Sequence, residues 1–279
     1  MDVVYLVCKS TSNNIELLYS LRSLKNISHW KVFIVWYKPN WLVNVEHIPF
    51  EDNKDKYENV RAKYKIITEI NNLSDNFIYM NDDFYFLKKQ EIEYYKMWKL
   101  SKQLEYLEKK VWVDNEYYQT IKGLSEKYKD WDSFETHTPI IYNKNKLKDI
   151  LKTEVKGLRS TYCNKYWIKG KIINSKRYID TDLIKDCKVY SIEKLDISNS
   201  QKLLSSENNL CNSKEFRIFM EWLFEEKSIY ENNYSDKYEA PKNMIKVKLL
   251  RPVYPYKSWE IMMMEKNKVN YFRNQLEIL

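Results

Sequence analysis

The sequence predicts an α/β fold in which a mostly parallel sheet is flanked by helices. Short apolar runs alternate with stretches of helical apolar spacing, the pattern of strands joined through helices. The third apolar run ends in adjacent carboxylates, where a parallel sheet opens to ligands. With 279 residues, 44% of them hydrophobic, the chain is long enough to bury a core and too apolar to be disordered.

The first element is the run from Val3 to Cys8, continuous in apolar residues as a buried parallel strand requires. Asn13 followed by Glu16 predicts a helix cap, and Leu17, Leu18, Leu21 and Leu24 give the helix its apolar face. Lys31 to Trp36 reads as a second strand, interrupted by Pro39 and a loop to Asp55. Val60, Tyr64, Ile67 and Ile70 mark a second helix over about 57–71, and Phe77 to Met80 a third strand. Ile92 to Lys129 reads as helical, with Leu100, Leu104, Leu107 and Val111 as a core-facing stripe. Thr138 to Tyr142 predicts a short strand entering a helix at Lys144 to Lys152, and Arg159 to Lys188 an irregular stretch. A last helix is predicted over Lys214 to Phe224, with weak strands at Lys246 to Leu250 and Trp259 to Met264. The expected organisation is one unit over 1–235 with a helical insertion at about 90–132, then a small C-terminal extension over 236–279.

Composition removes several function classes. Gly123, Gly157 and Gly170 are the only glycines, too few and too scattered for a phosphate-cradling loop or a dinucleotide fingerprint. The four cysteines form no C-x-x-C pair and show no zinc-finger spacing, so free thiols are expected. Met1-Asp2 runs directly into the first strand, which predicts no signal peptide, and no apolar run approaches a membrane span. A soluble, cytoplasmic protein is the expectation. The net charge of +8 fits nucleic acid, a membrane surface or a phosphorylated substrate, or simply a lysine-rich composition.

Asp82-Asp83 after an apolar strand is the most informative local feature. Adjacent carboxylates repel, and burying them is costly without a cation or hydrogen-bond donors. A divalent ion resolves this, and carboxylate oxygens suit Mg²⁺ or Mn²⁺, which also bind diphosphate oxygens. A strand ending in two aspartates is, on the bland reading, only a turn or a helix cap.

Of the three histidines, His29 and His47 lie in turns or loops. His137, between two threonines and close to Glu135, is the candidate base, metal ligand or phosphate donor. Arg159, in Leu158-Arg159-Ser160-Thr161-Tyr162-Cys163-Asn164, suits bidentate phosphate recognition, or else a surface ion pair. Asp180, Asp182, Asp186 and Lys188 complete the site or form an ordinary solvated loop.

Four early segments stand in order: Asp2-Val3-Val4-Tyr5, the run Glu16 to Leu24, Pro39-Asn40-Trp41-Leu42, and the run Leu73 to Phe84 containing Asn81-Asp82-Asp83. Together they resemble the Stealth family of capsular polysaccharide hexose-1-phosphate transferases and their relatives. Downstream, His137-Thr138-Pro139, the Arg159 segment, Asp186-Cys187-Lys188 and the run Lys227 to Glu231 are similar to a shorter bacterial and phage group of glycosyltransferases. The resemblance covers about residues 1 to 231. It implies a GT-A-like, Rossmann-type core, in which a D-x-D-type motif stands where Asn81-Asp82-Asp83 stands here. It also implies a nucleotide-sugar donor, a glycan or other hydroxyl acceptor, and Mn²⁺ or Mg²⁺ at Asp82 and Asp83. His137 and Asp83 become the catalytic candidates, and Arg22, Asn81, Arg159 and Lys188 the donor-phosphate contacts. The opening continues Leu6-Val7-Cys8-Lys9-Ser10 where the family has a tryptophan and a glycine-containing turn, and Glu58 to Lys63 replaces its asparagine-serine segment. Glycosyl transfer and sugar-1-phosphate transfer therefore both stay open. The expectation from another class is a nucleic-acid-binding or virion-associated protein, suggested by the positive charge and 24 tyrosines.

Overall fold

The computed structural model describes residues 1–10, 13–52, 56–109, 116–152, 157–173, 183–187, 202–206, 214–232, 244–249, 261–265 and 276–278. In chain order the elements are β1 (Asp2–Val7), α1 (Ile15–Ser23), β2 (Val32–Trp36), β3 (Glu46–Pro49), α2 (Lys56–Glu69), β4 (Asn76–Met80), β5 (Phe84–Phe86) and β6 (Tyr95–Lys96). They continue with α3 (Leu100–Glu108), α4 (Glu116–Lys127), β7 (Ile140–Asn143), α5 (Lys144–Ile150), α6 (Leu158–Lys165), β8 (Lys171–Ile172), β9 (Leu183–Cys187), β10 (Leu203–Ser206) and α7 (Lys214–Leu223). Last come β11 (Met244–Leu249), β12 (Ile261–Glu265) and β13 (Leu276–Ile278).

The central sheet has the order β3-β2-β1-β4-β7. Its first four strands are parallel, and β7 joins β4 antiparallel. This is the mixed α/β architecture the sequence predicts, with one antiparallel edge. Because side chains alternate along a strand, each strand feeds two cores. Val3, Tyr5, Val7, Ile34, Ile78 and Met80 pack with α1, β5, β10 and α7 on one face. Val4, Phe33, Val35, Phe77, Tyr79 and Tyr142 pack with α2, α5 and α6 on the other. Burial on both faces explains why these strands read as continuous apolar runs.

Several elements depart from the sequence expectation. The loop after β2 contains the edge strand β3, whose exposed Glu46 and His47 and terminal Pro49 carry no apolar signal. Asn13 caps no helix: Asn14 stands at the N-cap of α1 in the left-handed region, φ 57°, and makes no side-chain cap. The stretch expected to be helical from Ile92 opens instead with the strand β6, and the helices α3 and α4 follow, around a satellite core of Leu100, Leu107, Tyr118, Ile121 and Leu124. Backbone bonds from Met97 to Ser133 at 2.8 Å and from Leu100 to Trp131 at 2.9 Å close this stretch at its base. Val111 lies outside the described residues. The stretch expected to be irregular holds α6, whose polar sequence disguised a helix that buries Ser160, Thr161, Tyr162 and Cys163. A second sheet, β5-β10-β9, abuts the first, and the terminal strands β11, β12 and β13 pair antiparallel.

Candidate active site

The parallel strands β1, β2 and β4 end together at one edge, and β7 begins there because it runs the other way. The register pairs Tyr79 with Ile140. The chain leaving β4, Asn81-Asp82-Asp83, therefore lies beside the chain entering β7, His137-Thr138-Pro139. His137 Nε2 stands 3.3 Å from Asp83 Oδ2 and 3.2 Å from Asn81 Nδ2. The Phe84 ring meets the imidazole edge-on at 4.8 Å between centroids. One nitrogen cannot accept from Asn81 and donate to Asp83 at the same time. Nε2 accepts the Asn81 amide in the Nδ1–H tautomer and donates to Asp83 when it carries the proton itself.

Asp82 is pushed up to about 8, first by burial, then by the charges of Asp83 and Glu16. The same carboxylate, after burial, pushes the Cys8 thiol up from beyond β1.

The loop carrying His137 is held by α6. Arg159 donates from Nη2 to the carbonyl of Thr138 and from Nη1 to that of Thr136 at 3.4 Å, gripping the backbone on both sides of the histidine. The Ser160 amide donates to Glu135 Oε1 at 2.9 Å, and the Phe134 amide to Ser160 Oγ at 2.9 Å. Thr136 and Thr138 join their hydroxyls at 2.9 Å. Gly157 starts α6 at φ 74°, and a Cβ there would stand 2.4 Å from Leu124 Cδ1 and 3.1 Å from Glu135 Oε1. Only glycine lets the helix begin this close to the loop.

The ends of β1 and β2 lie at the same edge, where Val7 pairs with Trp36. Asn14 donates to the Cys8 carbonyl at 2.6 Å, and its own amide donates to Ser10 Oγ at 3.0 Å, fixing the turn after β1. Trp36, at the end of β2, has φ 95°. Lys63 Nζ stands 3.2 Å over its ring and 2.7 Å from Asp52 Oδ1. Lys63 is 3% exposed. It occupies the apolar stripe Val60, Tyr64, Ile67, so a lysine interrupting a buried face was the available signal.

The structure thus brings Asn81, Asp82, Asp83 and His137 to one place. Arg159 reaches the backbone beside His137. Arg22 is not part of this group: 4% exposed, it binds Glu231 through Nε and Nη2 at 2.9 Å each, and through Nη1 binds Glu221 at 2.8 Å and the Phe224 carbonyl at 2.9 Å. Those bonds tie α7 and the following turn to α1, so its expected phosphate contact is replaced by a structural ion-pair network. Asp186 lies in β9, while Asp180, Asp182 and Lys188 lie outside the described residues.

The fold and site define an α/β protein with a carboxylate–imidazole cluster at the ligand edge of its sheet. No known family's sequence profile matches the chain. No curated protein matches it either. Among solved structures, the galactosyltransferase LgtC in complex with donor and acceptor sugar analogs is 8% identical over 85% of this chain and 99% of that one, with a TM-score of 0.42. The glycosyltransferase GlyE of Streptococcus pneumoniae TIGR4 is 12% identical over 63% of this chain and 45% of that one, with a TM-score of 0.27. Among the described residues no helix is long and apolar enough to cross a membrane.

Proposed function

We propose that the chain is a GT-A-like glycosyltransferase that moves a sugar from a nucleotide-activated donor to an acceptor hydroxyl. The observation that carries this reading is the His137–Asp83 pair, 3.3 Å apart, next to the half-buried carboxylate of Asp82. The Stealth-like segments around it support the same reading.

The residues fit a hard divalent cation. Asp82 and Asp83 offer oxygen donors, and the burial that drives Asp82 up to about 8 is the cost a cation relieves. Among the described residues no group of three histidine, cysteine or acidic side chains has metal-holding geometry. Mg²⁺ and Mn²⁺ bind through as few as one or two carboxylates and complete their shell with water and substrate phosphates. Asp82 and Asp83 would hold the ion, and it would supply Lewis-acid stabilisation of charge on the departing nucleoside diphosphate.

The chain's own residues do the rest. His137 takes the proton of the acceptor hydroxyl at Nε2, and Asp83 Oδ2 stabilises the imidazolium that forms. Arg159 keeps the imidazole in place through the backbone on either side of it. Trp36, at the end of β2 on the same sheet edge, offers its ring as a stacking surface, backed by Lys63, whose charge is paired with Asp52. Sugar-1-phosphate transfer uses the same donor class and the same acceptor hydroxyl, and is separated from glycosyl transfer by whether phosphate stays with the product.

The test is a thermal-shift panel of UDP-, GDP- and CMP-sugars with and without Mn²⁺. One donor stabilises the protein only in the presence of metal, and Asp82→Asn abolishes that shift. A full panel without any metal-dependent shift refutes the proposal.

A further inference from the structure

The C-terminal end of α6 carries a residue that its backbone disfavours. The Ile168 amide donates to the Cys163 carbonyl at 2.8 Å and the Trp167 amide to that of Asn164 at 3.2 Å, the double closure of a Schellman end. The residue at the left-handed position, φ 54°, is Trp167. Glycine belongs there, because any Cβ crowds the following carbonyl. The tryptophan gains no packing in return, since it is 90% exposed. Ile172, in β8, is 71% exposed. Two large apolar side chains therefore project from one short segment, one of them in a strained backbone.

The surface around them is basic. Lys165, Lys169 and Lys171 flank them on the same segment, and Lys146, Lys148 and Lys152 are exposed on or just after α5, which packs on α6. Across 144–152 and 157–173 Asp149 is the only acidic residue, and it pairs with Lys165 at 2.7 Å. Lys171 pairs with Glu93 at 2.7 Å.

We infer that this face docks on an anionic lipid bilayer. Trp167 and Ile172 enter the interface, and the lysines face the lipid phosphates. Tryptophan favours the headgroup level, and basic side chains beside it add attraction to an anionic leaflet. Charge complementarity alone would also suit nucleic acid, but Ile172 has no π-face on which a base could stack. Its exposure is explained by insertion into acyl chains. Arg159 lies eight residues back along α6, about 12 Å at 1.5 Å per residue. Docking therefore brings the His137 loop within one short helix of the membrane.

Flotation of the full chain with phosphatidylcholine vesicles, with or without phosphatidylglycerol, tests this. The wild type floats with the anionic vesicles only, and salt weakens the association. Trp167→Gly lowers the bound fraction at least about tenfold, yet melts at the same temperature or higher, because glycine relieves the left-handed residue. Ile172→Ser weakens binding in the same direction. The inference is overturned if the wild type does not float with anionic vesicles, if Trp167→Gly binds them as well as the wild type, or if a single-stranded oligonucleotide is the ligand that Trp167→Gly loses.

Discussion

His137 Nε2 and Asp83 Oδ2 face each other at 3.3 Å because β7 runs antiparallel to β4, so that the chain entering one strand lies beside the chain leaving the other. A parallel β7 would carry its preceding loop to the far edge of the sheet. The direction of one edge strand thus creates the pair on which the proposed chemistry depends.

That pair predicts the effect of removing the imidazole. His137→Ala lowers kcat about 100-fold or more, the usual contribution of a positioned general base. The metal-dependent thermal shift is retained, because the carboxylates of Asp82 and Asp83 remain to hold the metal. Steady-state kinetics and the thermal-shift assay check this split.

Asp82 predicts an inverse dependence of stability on pH. Its folded value, about 8, lies above the ordinary carboxylate value of 3.8. Between these limits the native state holds a proton that the unfolded state has lost, so stability falls as pH rises through the window. Above about pH 8 the cost is fully present. Without metal, Asp82→Asn removes this slope and raises Tm at pH 8 by at least about 4 °C. Thermal melts of both proteins from pH 5 to 9 check it, and added Mn²⁺ stabilises only the wild type.

Arg159 acts through the backbone carbonyls of Thr136 and Thr138. Arg159→Met lets the His137 loop drift and lowers kcat by roughly 10- to 100-fold. Arg159→Lys recovers little, since an ammonium cannot span two carbonyls as a planar guanidinium does. A comparison of kcat with Tm separates this from simple destabilisation: kcat falls in the Arg159 variants at temperatures where they stay folded, and is unchanged in an equally destabilised variant elsewhere.

Arg22 gives the opposite signature. Arg22→Met strands the buried carboxylate of Glu231 and destabilises the fold by about 3–5 kcal/mol. Donor affinity of the folded fraction is unchanged. Urea unfolding beside a donor titration checks both halves.

The sheet was legible because β1, β2 and β4 are buried on both faces and bounded by polar turns, and the acidic end of β4 is a local signal. The site beyond it was less so. Arg159 was visible as a residue suited to oxygen ligands, but its ligands are backbone carbonyls, which every residue carries and no sequence marks. Arg22 was drawn toward phosphate by the resemblance of its segment, whereas its partners Glu221 and Glu231 lie some 200 positions away and are reached only through tertiary packing. Lys63 was hidden by a helical stripe read for its apolar members alone. The helix α6 was missed because it buries serine, threonine and cysteine, which leave no hydrophobic period.

The most direct measurement is metal-dependent hydrolysis of the donor selected by the panel, in the wild type and in Asp83→Asn. The account predicts nucleoside diphosphate release by the wild type with Mn²⁺ or Mg²⁺, lost with a chelator, and at least about 100-fold slower in Asp83→Asn. Release at the wild-type rate by Asp83→Asn, or equally fast with the chelator, would contradict it.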